Sequence, residues 1–344
     1  MSKRYLVLAD GTMYTGEGFG AAASAVGELV FNTSVVGYIE TLTDPNNLGQ
    51  IVVQTFPSLG NYGVIEADFD GPCAVKGYVV REWCREPSNF RSEYTLDEYL
   101  KAHGVPGICG LDTRSLTQHI RDHGEMNAMI CDRVPEDLSA LKAEPVTAMG
   151  SKETTVYPAN GTRKFAVTML DFGARPSAVR LLTERGCAVA AVPPTTPAGA
   201  ILAARPDGVV LSDGPGDPAK AAQAIETVKA LMGRVPMFGL GLGHQVMALA
   251  AGGKTYRLKY GHRGGNQPVI DLTTGHTYIT GQNHGYVVSA EHQPGVLRYV
   301  NANDDTCEGI DYPDLNAFSV QFIPSPCPGP RDTCVVYDRF IDMM

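Results

Sequence analysis

The feature that most constrains this chain is a strict alternation of short apolar runs and helix-length segments between residues 165 and 251. Phe165 to Leu170, Cys187 to Val192, Gly208 to Leu211 and Pro236 to Leu240 read as strands. The segments from about Pro176 to Arg185, Pro197 to Ala204, Pro218 to Met232 and His244 to Ala251 read as helices. Four β-α units in succession imply a mostly parallel sheet with helices on both faces. Such sheets bind ligands beyond the carboxyl ends of their strands. The segments to examine are therefore Asp171-Phe172-Gly173, Ser212 to Pro218, and Gly239 to His244.

The preceding region, residues 1–146, has a different texture. Tyr5-Leu6-Val7-Leu8, the turn at Asp10-Gly11 and Met13-Tyr14-Thr15 predict a hairpin. Gly27 to Thr33, Ile51 to Thr55 and Val75 to Val80 predict further strands. Thr95-Leu96-Asp97-Glu98 has the form of a capping box, and Asp112 is placed to cap a second helix ending at Gly124. Strands outnumber helices in this mixed α/β half. Residues 147–163 are polar and carry Gly150, Pro158 and Asn160-Gly161, and are expected to be a linker. Residues 164–344 complete the α/β half.

Composition narrows the function. Among 344 residues, 28 are Lys or Arg and 37 are Asp or Glu, a formal charge of −9, and no basic block occurs. Nucleic-acid binding is therefore not expected. No apolar run approaches the roughly 20 residues that span a bilayer, and the apolar stretch after Met1 is too short for a signal peptide. A cytoplasmic protein without a membrane role is the expectation. The 8 cysteines contain no Cys-x-x-Cys pair, so they are expected to serve as small core residues rather than as zinc ligands or disulfides.

Three loops carry chemistry. Phe238-Gly239-Leu240-Gly241-Leu242-Gly243-His244 has the form of a nucleophile elbow, although a plain glycine-rich turn has the same composition. The elbow's central position, where Ser or Cys belongs, is Gly241. The loop Ser212-Asp213-Gly214-Pro215-Gly216-Asp217-Pro218 frees backbone N–H groups of the kind an oxyanion hole needs, or simply turns the chain. Gly281-Gln282-Asn283-His284-Gly285-Tyr286 suits an amide-bearing ligand, or a polar hairpin.

Together with Gly27-Glu28, Asn32-Thr33-Ser34, Gly37-Tyr38, Leu42-Thr43-Asp44-Pro45, Ser88-Asn89-Phe90-Arg91, Asp112-Thr113-Arg114-Ser115-Leu116-Thr117 and Gly261-His262-Arg263-Gly264-Gly265-Asn266, these loops resemble the carbamoyl-phosphate synthetase small-subunit family. The resemblance spans nearly the whole chain. It implies an N-terminal small-subunit domain followed by a class I glutamine amidotransferase-like domain. In that family a Cys attacks the glutamine side-chain amide, a His moves protons and a Glu orients the His. Ammonia then passes to a large subunit, which alone would hold ATP and Mg. No cofactor or metal is implied for this chain.

The resemblance places the three family positions at Gly241, Ile323 and Ser325, which offer no thiol, no base and no carboxylate. It places glutamine contacts at Asn46, Gly214, Gly216, Leu242, Gln245, Asn283, Gly285 and Tyr286. Three readings follow: a non-hydrolysing small subunit partnered by the large subunit, a binding or regulatory protein outside the synthetase, and a glutamine-hydrolysing subunit with a relocated nucleophile such as Cys327. His244 is expected to be structural. Gly241 would relieve the backbone strain of an elbow, so Cys at 241 is expected to destabilise the fold slightly.

Overall fold

A computed structural model of the chain describes residues 2–143, 146, 150–325 and 329–344. The chain divides into two compact units, Met1–Val146 with Lys259–Gly264, and Thr147–Leu258 with Gly265–Met344. Among the described residues no helix is long and apolar enough to cross a membrane.

The first unit is built on a closed seven-stranded barrel. Around it run Lys3–Leu8, Met13–Gly20, Pro106–Cys109, Gly77–Val79, Gln50–Gln54, Ala25–Asn32 and Met126–Cys131. Closure comes from antiparallel pairing of Lys3–Leu8 with Met126–Cys131, in the register Tyr5↔Cys131 and Leu8↔Ala128. Alternation along each strand separates two cores. Leu29, Ile51 and Val53 pack with Leu6, Leu8, Ile108 and Ile130, whereas Val30 and Val52 pack with Tyr38, Tyr78, Leu96 and Leu100. Both helix starts form as the residues dictate. Thr95 and Glu98 make a reciprocal capping box on Leu96–Ala102, and Asp112 accepts from the Ser115 N–H at 3.0 Å to open Thr113–His123.

The second unit carries a ten-stranded sheet. Its parallel part runs in the order Cys187–Val192, Phe165–Leu170, Gly208–Leu211, Met237–Leu240, Ala317–Val320. Strand order therefore reverses beside Phe165–Leu170, where α/β sheets open a ligand crevice. Antiparallel strands Cys307–Tyr312, Thr277–Val288, Thr255–Asp271 and Val296–Asn301 extend the far edge. Phe238, fully buried, stacks on Phe318 with centroids 4.6 Å apart and binds the two central strands through their side chains.

Several expectations need correction. Residues 147–163 are not only a linker, because Thr155–Tyr157 is an edge strand antiparallel to Cys187–Val192. The segment expected to be one helix from Pro218 to Met232 is a 3-10 turn, Pro218–Lys220, followed by the helix Ala222–Leu231. The elbow helix begins at Leu242, two residues before His244. Gly281 to Tyr286 is not a loop; it lies inside the strand Thr277–Val288, which pairs with the preceding strand Thr255–Asp271 as the polar-hairpin alternative expects. Among the described residues seven cysteines carry free thiols, with Cys109, Cys131, Cys187 and Cys307 buried and Cys73, Cys84 and Cys334 half-buried. Cys327 lies outside the described residues.

Candidate functional site

The strand Met237–Leu240 ends at Gly241, and the helix Leu242–Ala250 begins at the next residue. Gly241 has φ 49° and ψ −107°, a backbone that side-chain-bearing residues rarely adopt. Its N–H donates to Val320 O at 2.9 Å, which fixes the turn to the neighbouring strand. Gly243 is required for a different reason. A Cβ there would lie 2.5 Å from Leu211 Cβ and Leu211 O, so the helix could not approach the sheet so closely. This is the geometry of an elbow that holds its central residue above the sheet edge.

The loop after Gly208–Leu211 runs directly beside it. Ser212 Oγ accepts from the Phe172 N–H at 2.9 Å and donates to Asp213 O at 2.7 Å, which ties this loop to the Asp171-Phe172-Gly173 turn. Asp213 then turns its carboxylate toward the elbow. Oδ1 accepts from the Gly214 N–H at 2.8 Å and from the Leu242 N–H at 3.3 Å. Arg175, the N-cap residue of the helix Pro176–Glu184, donates from Nε to Asp213 Oδ2 at 3.3 Å. Both side chains are nearly buried, at 4% and 12% exposure, so the pair is shielded from solvent. Thus two backbone N–H groups flanking the elbow converge on one oxygen, and that oxygen already bears negative charge. Such convergence is what an oxyanion site provides to a reacting carbonyl.

Gly241, Ile323 and Ser325, the three positions that the resemblance singles out, fall together here. A cavity of about 10 Å³ is lined in part by Arg175, Asp213, Gly241, Ile323, Pro324 and Ser325. That volume admits about one water. Ile323 is 6% exposed, and its N–H donates to Gly281 O at 2.8 Å. Its branched side chain makes this end of the cavity apolar.

The positions proposed to contact glutamine are distributed as follows. The Gly214 and Leu242 N–H groups are both engaged by Asp213. Gly216 has φ 108° and turns the same loop. Gln245 Nε2 donates to Tyr286 O at 2.7 Å and to Gln321 Oε1 at 2.8 Å, so it braces the elbow helix against the strand Thr277–Val288 and the residue that follows Ala317–Val320. Asn283 is buried, and Gly285 and Tyr286 are half-buried on the strand Thr277–Val288. Asn46 belongs to the first unit, in the turn Pro45–Asn47, and its N–H donates to Asp44 Oδ1 at 2.9 Å.

His244 is fully buried, with Nδ1 2.7 Å from Ser319 Oγ. Burial lowers its pKa to about 3, so the ring is neutral at physiological pH. The unfolded chain would protonate near pH 6.5. Acidification therefore favours the unfolded state, and this residue's contribution is lost as pH falls from about 6.5 to about 3. Its slope is at most about 1.4 kcal/mol per pH unit. His244→Asn is expected to flatten the stability profile across that window in denaturant titrations at stepped pH. An unchanged slope would contradict the neutral assignment. His284 is a second buried imidazole, with Nδ1 3.0 Å from Tyr286 O and Nε2 3.2 Å from Gln282 Oε1.

Sequence reasoning did not single out Arg175 and Asp213. Asp213 had one visible signal, an acid immediately before the N–H groups of a suspected oxyanion loop.

Comparison with known proteins places this geometry in a family. Residues 6–130 match the family described as carbamoyl-phosphate synthase small chain, CPSase domain. Residues 168–343 match glutamine amidotransferase class-I. The carbamoyl phosphate synthase small chain of Oceanobacillus iheyensis is 44% identical, covering 100% of this chain and 96% of that protein. The small chain of Lactococcus lactis subsp. lactis is also 44% identical, over 100% of this chain and 99% of its own length. The Bacillus subtilis carbamoyl phosphate synthase pyrimidine-specific small chain is 44% identical over 99% of this chain and 96% of its own. With its elbow and oxyanion-type loop in a class I glutamine amidotransferase domain and its full length matched, this chain belongs to the carbamoyl phosphate synthase small chain family.

Proposed function

We propose that this chain is a carbamoyl phosphate synthase small subunit that does not hydrolyse glutamine and completes a synthase supplied with free ammonia. One observation carries the reading. At the elbow, where a nucleophile and an empty pair of N–H donors are needed, Gly241 has no side chain and Asp213 Oδ1 holds both donors. Ile323 and Ser325 add the absence of a base and of a carboxylate to orient it. Matches along both halves support retention of the large subunit as partner. That subunit would use ATP and Mg to make carbamoyl phosphate for pyrimidine and arginine synthesis in the cytoplasm. The test is reconstitution with the cognate large subunit, with glutamine and ammonium chloride compared as nitrogen donors. Product from ammonia alone is expected; product from glutamine at a comparable rate would overturn the proposal.

A further inference from the structure

A Cβ built on Gly241 would stand 2.1 Å from Asp213 Oδ1 and 2.6 Å from its Cγ. Real Cβ atoms do not approach that closely, so any side chain at 241 requires the carboxylate to move. The carboxylate is not free to swing. It is held by the Gly214 N–H at 2.8 Å, the Leu242 N–H at 3.3 Å and Arg175 Nε at 3.3 Å, and its side chain is 12% exposed. Leaving this position would strip three donors from a buried anion.

We infer that Asp213 is a positioning residue that locks the elbow: its carboxylate sits at the oxyanion position and excludes a nucleophile from residue 241, so restoring Cys, His and Glu at 241, 323 and 325 does not by itself reopen a carboxamide-hydrolysing site. The inference rests on the proposed loss of glutamine hydrolysis and adds a fourth position to it. Two effects act together. Sterically, Asp213 occupies the space of the 241 side chain. Electrostatically, a carboxylate beside a thiol disfavours the thiolate, which is the reactive form. It also repels the negative oxygen that would develop on a substrate carbonyl. Arg175 holds Asp213 in place rather than serving a ligand.

The test compares Gly241→Cys with Gly241→Cys/Asp213→Ala in the full-length chain. Iodoacetamide alkylation of residue 241 is followed by peptide mass spectrometry across pH. The positive φ is common to both variants, so it cancels. At pH 7, alkylation at least about tenfold faster without Asp213 is expected, as for a thiol pKa lowered by about one unit. The pH profile should shift to lower pH accordingly. Equal rates and superimposable profiles would overturn the inference. Where Asp213→Ala leaves Arg175 too exposed to charge imbalance to fold, Asp213→Ala/Arg175→Met removes both charges and carries the same comparison. Gly241→Ala supplies a second readout. It should lower the melting temperature at least twice as much with Asp213 present as with Asp213→Ala, and equal losses would contradict the lock. Failure of the underlying functional proposal shows separately, as glutamate release by the unaltered chain with its large subunit.

Discussion

Carbamoyl phosphate synthesis by the reconstituted complex is expected to proceed with ammonium chloride, and its glutamine-dependent rate to lie on the order of 10⁶-fold below that of a synthase with an intact covalent glutaminase. The size follows from what removal of a nucleophile and its base costs a covalent hydrolase when they act as a unit. On the proposed assignment, Gly241 offers no attacking atom and Ile323 offers no proton acceptor. In such enzymes the residual catalysis comes from the oxyanion donors and from binding. Here the donors of Gly214 and Leu242 are engaged by Asp213, so that residue of activity is suppressed as well. Initial-rate assays at saturating ATP and bicarbonate, with ammonia scrubbed from the glutamine stock, make the comparison. Gly241→Cys alone should leave the glutamine rate at background.

The second large effect is on stability. Arg175→Met is expected to destabilise the second unit by about 3–5 kcal/mol, because it leaves the Asp213 carboxylate buried without its cation. For a unit of this size that corresponds to a melting temperature lower by roughly 6–20 °C. Arg175→Met/Asp213→Ala should recover much of the loss, since removing both charges removes the desolvation cost as well. A surface ion pair of similar length would cost under about 1 kcal/mol. Calorimetry of the three proteins therefore separates a buried structural pair from an incidental contact. A loss under about 1 kcal/mol in Arg175→Met would show that the elbow does not depend on it.

Much of the α/β half was legible because its elements are local. The strands are continuous apolar runs, and Pro, Gly and capping residues punctuate the helices between them. The capping box at Thr95 and the cap at Asp112 formed as read, because each needs only residues three positions apart. What escaped was non-local. Closure of the barrel depends on Tyr5 meeting Cys131, a pairing that no periodicity announces. Thr155–Tyr157 became a strand only because Cys187–Val192 offered it an open edge. Gly281 and Gly285 looked like loop ends, yet the antiparallel extension of the sheet recruits them into one strand.

The site divides in the same way. The elbow was visible from its glycines, and Gly241, Ile323 and Ser325 are proposed as the replaced positions on the resemblance alone. Their convergence on one cavity required the strand Ala317–Val320 to lie parallel to Met237–Leu240. The Arg175–Asp213 pair joins residues 38 positions apart through the order of the sheet, and no local signal marks it. It also alters one expectation in degree. Cys at 241 was expected to cost slightly through backbone strain, but the 2.1 Å approach to Asp213 Oδ1 adds a steric and electrostatic cost.

The central claim is that no side chain of this chain attacks glutamine. It is tested most directly by incubating the reconstituted complex with a diazoketone analogue of glutamine, which alkylates a nucleophile seated at the amide position. The small chain is then weighed by intact-protein mass spectrometry. An unchanged mass after prolonged incubation is the expected result. A stoichiometric adduct on any residue of the chain, Cys327 included, would contradict it.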